Sequence, residues 1–208
     1  HRDLHSFPTR RSSDLETELI QRLLFSGLVV CWFLFFITFL YQALVPTHPG
    51  LRRSRSLLGS FLQILGFVVC IGIQRPVFVP LVNVSFFFQW FLGVISLALG
   101  FSGWWLIVRA HQYIRFKPPV RFEPAEPFRL VREGPYGVIR HPMIVGWFLL
   151  LFATGITVSS WTGFIMGIVF FVWGTYIHLI REEKILSDIF GQAFEQYRTD
   201  IPPFIPKL

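Results

Sequence analysis

Two short polar segments flank the last apolar stretch of the chain, and they carry the residues best suited to chemistry. The first contains a GPYG sequence, which predicts a turn around Tyr136, and ends in Arg140, His141 and Pro142. Because proline favours the first position of a helix, His141 is predicted to cap a helix whose N–H groups and dipole attract anions. With Arg140 beside it, this pattern indicates a site for a carboxylate or phosphate. The alternative is a structural role, in which a proline-initiated helix is anchored at lipid headgroups by its arginine.

The second polar segment, residues 181–197, begins with two adjacent carboxylates, Glu182 and Glu183. Apolar residues recur through it at helical spacing, which predicts that the preceding helix continues beyond the membrane as a cytoplasmic amphipathic helix. In mid-helix the two carboxylates avoid the unfavourable dipole of a helix C-terminus. A carboxylate at a lipid boundary still costs free energy unless a cation or a hydroxyl-rich molecule offsets it. The two glutamates therefore either face such a partner or form a surface pair beside Arg181, Lys184 and water.

The sequence lacks the motifs of the common soluble enzyme classes. It contains no Walker loop, dinucleotide-binding glycine fingerprint, HExxH or GxSxG. His111, His141 and His178 lack metal-ligand spacing with one another. Cys31 and Cys70 lie within long apolar runs, where a thiol behaves as a small hydrophobe. We therefore expect no metal site, no disulfide framework and no soluble nucleotide-binding fold.

The elements that must position these residues are apolar helices. The chain has 208 residues, of which 53% are hydrophobic and only 15% are charged, whereas soluble domains average about 25% charged. This composition predicts an all-α integral membrane protein surrounded by lipid. Uncharged stretches predict about five transmembrane helices, near residues 24–44, 56–74, 86–108, 143–156 and 161–180.

The last apolar stretch, residues 142–180, is too long for one crossing. As a single helix it would measure about twice the ~30 Å hydrocarbon core of a bilayer. Thr157, Ser159 and Ser160 form its densest polar cluster. We therefore expect a C-terminal helical hairpin that turns at these residues.

Charge predicts the orientation of the chain, whose net charge is +7. If there are five spans, 14 basic residues after residue 15 lie on one side of the membrane, and only Arg22 and Arg75 lie on the other. This asymmetry predicts an N-terminus outside and a C-terminus in the cytoplasm. We expect the membrane to be the bacterial inner membrane. Topology accounts for the basic character, so we expect no nucleic-acid partner.

Residues 1–15 differ in composition from the rest of the chain. They mix Ser, Arg and Asp without an apolar period, and they lack the apolar core of a signal peptide. Within them, the string HSFPTRRSSDL matches one reading frame of a common sequencing adapter. We expect residues 1–15 to be a non-native or disordered segment and residues 16–208 to form a single domain.

Several short motifs occur in order around the predicted hairpin, namely LVREGPYGVIRHPMIVGW, REEKIL, FGQAFEQY and PPFIP. In this order and separation they resemble the isoprenylcysteine carboxyl methyltransferase family and its bacterial and phospholipid methyltransferase-like relatives, over residues 129–206. The resemblance implies an integral membrane methyltransferase that uses S-adenosylmethionine. Its substrate would be lipid-soluble or small and would accept the methyl group on a carboxylate, an amine or a thiol.

The resemblance also implies which residues bind the cofactor. These are Arg129, Leu130, Val131, Tyr136, His141, Pro142, Met143, Ile144 and Glu182. Ile144 stands where the family pattern HPxY has a tyrosine, and His178 stands where prenylcysteine enzymes have an arginine for the substrate carboxylate. Methyl transfer to an ionised acceptor needs little acid–base chemistry, so no general base is assigned. Arg140 and His178 are the candidates for catalytic roles, and no metal is implied.

Two other functions stay open from the sequence. Sterol reductases share a similar C-terminal arrangement with an RHP motif, which would make the chain an NADPH-dependent membrane reductase. The sequence RHPMI lacks the RHPNY continuation expected there. The third alternative is a non-catalytic membrane protein that retains the motifs. The methyl acceptor and the oligomeric state are not determined by the sequence.

Overall fold

In the computed structural model, residues 12–44, 56–74, 86–116 and 130–206 are described, and these residues are almost entirely helical. The six α-helices are α1 (Ser12–Leu44), α2 (Leu57–Gly72), α3 (Phe86–Phe116), α4 (Pro142–Thr157), α5 (Trp161–Phe190) and α6 (Gln192–Asp200). A short 3-10 helix, Gly134–Gly137, precedes α4 and is called the GPYG turn below. No β-strand forms within the described ranges, although Gln74 and Ser159 make an isolated bridge. The predicted all-α class is confirmed.

Three of the helices are long and apolar enough to cross a membrane. They contain the segments Gln21–Tyr41, Phe87–Ile114 and Trp161–Phe190. The apolar helices α2 and α4 have 16 residues each, which corresponds to about 24 Å of helix. Each of the five predicted spans thus coincides with an apolar helix, but the number of crossings stays a prediction.

The predicted hairpin turn is confirmed. α4 ends at Thr157 and α5 begins at Trp161, so the chain reverses at residues 158–160. The Ser160 side chain caps α5 by accepting a hydrogen bond of 3.2 Å from the N–H of Gly163. Ser160 therefore satisfies one of the N–H groups at the start of α5 that the helix itself leaves without an acceptor.

Several helices extend beyond the predicted spans. α1 begins at Ser12, within the segment expected to be non-native or disordered, and residues 1–11 lie outside the described part of the chain. α3 continues past the predicted end at Val108 to Phe116. The predictions were based on charge-free stretches, and charged residues such as Arg109 limit an apolar span without ending a helix.

The predicted continuation of α5 beyond its span is present but divided. The helix continues past Ile180 to Phe190, so Glu182 and Glu183 lie in mid-helix as expected. Gly191 then adopts a φ of +52°, a left-handed conformation that favours glycine. Because this residue redirects the backbone, α6 is a separate helix and the segment through Tyr197 is not one continuous helix.

α2 and α5 pack against each other through glycines. A Cβ atom on Gly66 would lie 2.7 Å from the carbonyl oxygen of Gly167, and one on Gly174 would lie 2.6 Å from that of Gly59. Side chains at these positions would overlap the facing backbone, so glycine is what allows the helices to approach. Small residues at a helix–helix contact are typical of packing within a membrane.

α3 packs against α4 in the same manner. A Cβ atom on Gly103 would lie 2.6 Å from the carbonyl oxygen of Gly146. α1 completes this group of helices, whose buried core contains Cys31, Phe35, Ile107 and Leu150. α4 therefore lies between α3 and α5, and its N-terminus has a fixed position relative to the polar part of α5.

Gly66→Ala should lower the temperature of thermal unfolding in detergent, because the added methyl group must displace the Gly167 carbonyl. Overpacking of this kind typically costs about 1–3 kcal/mol. Gly72→Ala is the matched control, since a Cβ atom there would meet nothing within 4 Å. Alanine is also the better helix former, so the control should unfold at the wild-type temperature or above it. Equal unfolding temperatures for the two variants would contradict the close approach of α2 and α5.

Candidate functional site

His141 occupies the N-cap position of α4, as the sequence predicts. The helix begins at Pro142, and the His141 side chain makes no capping hydrogen bond. The imidazole is buried, with His141 only 6% exposed. The N–H groups of Met143 and Ile144 belong to the first helical turn, where the helix itself supplies no acceptor. This helix end therefore combines a partial positive charge with a buried imidazole.

Three basic side chains lie around the carboxylate of Glu183 on α5. Arg140 donates a hydrogen bond from Nη1 to Oε1 of Glu183. His141 Nε2 lies 3.3 Å from the same oxygen. Arg198 of α6 approaches the other oxygen, Oε2, to 3.7 Å. We call Arg140, His141, Glu183 and Arg198 the ion cluster.

The central pair of the ion cluster is largely shielded from water. The side chains of Arg140 and Glu183 are only 8% and 14% exposed. A charge in such a place needs a partner of opposite sign, because desolvation of an isolated charge costs several kcal/mol. The sequence left open whether the glutamates face a cation or form a surface pair in water. Glu183 faces a cation, the guanidinium of Arg140.

Glu182 lies beside the ion cluster and is more open to solvent. Its Oε2 is 3.7 Å from Nδ1 of His141, and its side chain is 26% exposed. The two consecutive glutamates thus approach the two ring nitrogens of one imidazole. Arg140 neutralises Glu183, which leaves Glu182 as the carboxylate at the open side of the site.

Tyr136 lies in the GPYG turn, and its side chain is buried. Its hydroxyl has no hydrogen-bond partner among the described residues. Burial raises the pKa of Tyr136 above its ordinary value, and the nearby charge of the Glu182 carboxylate raises it further. The hydroxyl is therefore a neutral hydrogen-bond donor at physiological pH. A buried donor without an acceptor is costly, so this is a position where a bound molecule could supply one.

α6 and the residues after it also contact the site. The Tyr197 hydroxyl donates a hydrogen bond of 2.7 Å to the backbone carbonyl of Tyr136. Burial raises the pKa of Tyr197 to about 12, so this donor keeps its proton at neutral pH. Beyond α6, the backbone N–H groups of Arg140 and His141 donate to carbonyl oxygens in the stretch 201–203.

The structure brings together most of the residues predicted to bind the cofactor. The N-terminus of α4 contains His141, Pro142, Met143 and Ile144. Glu182 faces His141, and Tyr136 lies close to Glu182 in the GPYG turn. Leu130 and Val131 are half-buried and precede the GPYG turn in the chain. Arg129 lies outside the described residues.

The two candidates for catalytic roles lie in different surroundings. Arg140 belongs to the ion cluster. His178 lies at the interface of α5 with α2, where a Cβ atom on Gly59 would come within 3.2 Å of its Cβ. His178 is thus about one turn before Glu182 and next to the glycine contact between the two helices.

Three residues that contact the site are absent from the predicted cofactor and catalytic residues. Glu183 was predicted only to share the surroundings of Glu182, and no site role was predicted for Tyr197 or Arg198. The helical repeat of α5, whose buried residues include Phe171 and Thr175, does not distinguish Glu183, because Glu182 lies closer to the face of Thr175. The contacts of Tyr197 and Arg198 depend on where the chain turns at Gly191, which local spacing does not predict.

Comparisons with known proteins relate the chain to membrane methyltransferases. The phospholipid methyltransferase family matches residues 88–193, about half of the chain. The chain is 34% identical over 80 residues to the protein-S-isoprenylcysteine O-methyltransferase of Schizosaccharomyces pombe, which covers 37% of this chain and 33% of that protein. It is 32% identical over 87 residues to the methanethiol S-methyltransferase of Crocosphaera subtropica, which covers 41% and 33%. The chain thus spans about a third of the length of these curated relatives.

Glu183→Gln should destabilise the protein, because it removes the charge that neutralises the buried Arg140. Breaking one partner out of a buried ion pair typically costs about 3–5 kcal/mol, measurable as a lower temperature of thermal unfolding in detergent. Glu195→Gln is the control, since that side chain is 53% exposed and lies 3.9 Å from Arg198. Exposed pairs contribute about 0–1 kcal/mol. If both variants unfolded within a degree of the wild type, the ion cluster would not have the structural role given to it here.

Proposed function

Because the chain belongs to the phospholipid methyltransferase family, we propose that it is an integral membrane enzyme that transfers a methyl group from S-adenosylmethionine to a lipid-soluble or small substrate. The observation that carries the proposal is the family match, which includes the GPYG turn, the N-terminus of α4 and both glutamates. The two curated relatives are named for O-methylation of protein S-isoprenylcysteine and S-methylation of methanethiol. These names support an acceptor that carries a carboxylate or a thiol, and the family name adds phospholipids.

The chemistry of the site fits S-adenosylmethionine. The cofactor has a carboxylate, an ammonium group, ribose hydroxyls and a sulfonium. The N–H groups of Met143 and Ile144 suit its carboxylate, as helix N-termini suit anions generally. Glu182 suits the ammonium group or the ribose hydroxyls. The buried Tyr136 hydroxyl, which has no partner among the described residues, would donate to one of the cofactor's oxygen or nitrogen atoms.

The reaction would depend on alignment more than on proton transfer. Bound S-adenosylmethionine would supply a methyl group on a sulfonium. In-line attack on the methyl carbon by the acceptor would break the carbon–sulfur bond and leave a neutral thioether. Glu182 would orient the cationic end of the cofactor, and the buried Tyr136 ring would exclude water from one side of it. An acceptor that is already a carboxylate or a thiolate needs no general base.

We assign Arg140 a positioning role in this reaction. Its Nη1 bonds Glu183, and its Nε donates a hydrogen bond of 2.9 Å to the carbonyl oxygen of Ile201. These contacts would hold the N-terminus of α4 at a fixed distance from Glu182. A contact between His178 and an acceptor would require the acceptor to reach the interface of α2 and α5.

The distribution of basic residues supports a site on the cytoplasmic face. We propose that the N-terminus lies outside and the C-terminus in the cytoplasm of a bacterial inner membrane, since most basic residues then face the cytoplasm. The ion cluster and the GPYG turn would lie at that surface, next to cytoplasmic S-adenosylmethionine and to lipid-borne substrates.

Titration calorimetry of the purified protein in detergent should detect binding of S-adenosylhomocysteine, the demethylated product. Tyr136→Phe should weaken this binding roughly 3- to 10-fold, the effect of one hydrogen bond. The same variant without ligand should unfold at the wild-type temperature or above it, since it removes a buried donor that lacks an acceptor. Tyr176→Phe, at a side chain on α5 that is 62% exposed, should match the wild type in both measurements.

One result would overturn the proposed activity, and a second would overturn the role of Tyr136. Absence of binding heat with S-adenosylhomocysteine, together with clear binding of NADPH, would favour a membrane reductase. Wild-type affinity in Tyr136→Phe would remove the buried hydroxyl from the cofactor site. Transfer of a labelled methyl group from S-adenosylmethionine into lipid, protein or thiol fractions would identify the acceptor class.

A further inference from the structure

The family match ends at residue 193, yet the chain beyond it contacts the site at several points. Residues 194–206, which we call the C-terminal strap, comprise most of α6 and the extended stretch after it. We propose that the C-terminal strap is a positioning element that holds the GPYG turn and the N-terminus of α4 in the arrangement that binds the cofactor. This inference rests on the proposed function, since it concerns the same site.

The first contact joins α6 to the GPYG turn. Phe194 and Tyr197 are buried, at 1% and 4% exposure. The Tyr197 hydroxyl donates to the backbone carbonyl of Tyr136 over 2.7 Å. Arg132, just before the turn, donates to the carbonyl of Ala193, and its guanidinium lies 5.6 Å from the centroid of the Tyr197 ring. α6 therefore holds Tyr136 by its backbone carbonyl, and Tyr136 carries the buried hydroxyl of the site.

The second contact joins the end of the strap to the residues that begin α4. The Arg140 side chain donates from Nε to the carbonyl of Ile201 at 2.9 Å. The Arg140 backbone N–H donates to Pro202 at 2.9 Å, and the His141 N–H donates to Pro203 at 3.1 Å. Because proline has no N–H group and a fixed φ, Pro202 and Pro203 present carbonyl oxygens on a stiff backbone. Three successive carbonyls of the strap thus hold two successive residues of the site.

The third contact concerns the side chains of the ion cluster. The ring of Phe204 lies 6.1 Å from that of His141, centroid to centroid. Arg198 approaches Glu183 to 3.7 Å. The strap therefore lies next to the imidazole through Phe204 and approaches the carboxylate that bonds it through Arg198. Both contacts restrict the orientation of His141 relative to Glu182, whose carboxylate is proposed to face the cofactor.

A purely structural role for the strap predicts a different response to mutation. If α6 only packed against the rest of the protein, loss of one of its contacts would lower global stability and leave ligand affinity unchanged in the folded fraction. A positioning role predicts weaker ligand binding by a protein that is still folded. Tyr197→Phe separates these cases, because it keeps the buried ring and removes only the hydroxyl that bonds the carbonyl of Tyr136.

The experiment compares Tyr197→Phe with the wild type and with Tyr176→Phe, in the full chain in detergent. Calorimetry with S-adenosylhomocysteine should show roughly 3- to 10-fold weaker binding for Tyr197→Phe. Without ligand, hydrogen exchange should be faster at the amides of Arg140 and His141, which donate to the strap. The control should match the wild type in both measurements, and thermal unfolding should show that all three proteins are folded.

Wild-type affinity in Tyr197→Phe would overturn the inference, whether or not the exchange rates change. A loss of affinity that is fully explained by a smaller folded fraction would overturn it as well. If the wild type itself does not bind S-adenosylhomocysteine, the proposed function fails. In that case unchanged exchange at Arg140 and His141 would overturn the strap separately, and faster exchange would still support its hold on these residues.

Discussion

The carboxylate of Glu183 lies where α5 leaves the apolar part of the protein, and its burial requires nearby positive charge. Arg140 supplies that charge from the residues before α4, and Arg198 supplies more from α6. His141 contacts the same carboxylate and begins α4. These pairings determine how the ends of α4, α5 and α6 meet. The candidate cofactor site lies at this junction, with Glu182 and the buried Tyr136 hydroxyl beside it.

Close helix packing supports this junction from the apolar side. Glycine contacts join α2 to α5 and α3 to α4, which leaves the backbones little freedom to shift. The interactions of the ion cluster require distances within a few tenths of an ångström. The helix contacts therefore provide the stable frame that these interactions need. In return, the ion cluster and the C-terminal strap hold the polar ends of the helices, where apolar packing stops.

Local patterns predicted most of the helices but few of the contacts between them. The turn at residues 158–160 and the N-cap position of His141 depend on residues adjacent in the chain, so both could be predicted from the sequence. Arg140 and Glu183 are 43 residues apart, and their pairing depends on how α4 and α5 approach. The break at Gly191 was missed because the apolar spacing continues across it. The contacts of the strap use backbone carbonyls, which have no side-chain signature in the sequence.

The claim that the pair of Arg140 and Glu183 organises the site is tested most directly by a double-mutant cycle on S-adenosylhomocysteine binding. The cycle compares the wild type, Arg140→Gln, Glu183→Gln and the double variant in calorimetry. If the pair acts as a unit, the double variant should lose little more affinity than either single variant, with a coupling free energy of about 0.5–3 kcal/mol. Additive losses, with a coupling energy near zero, would contradict the claim.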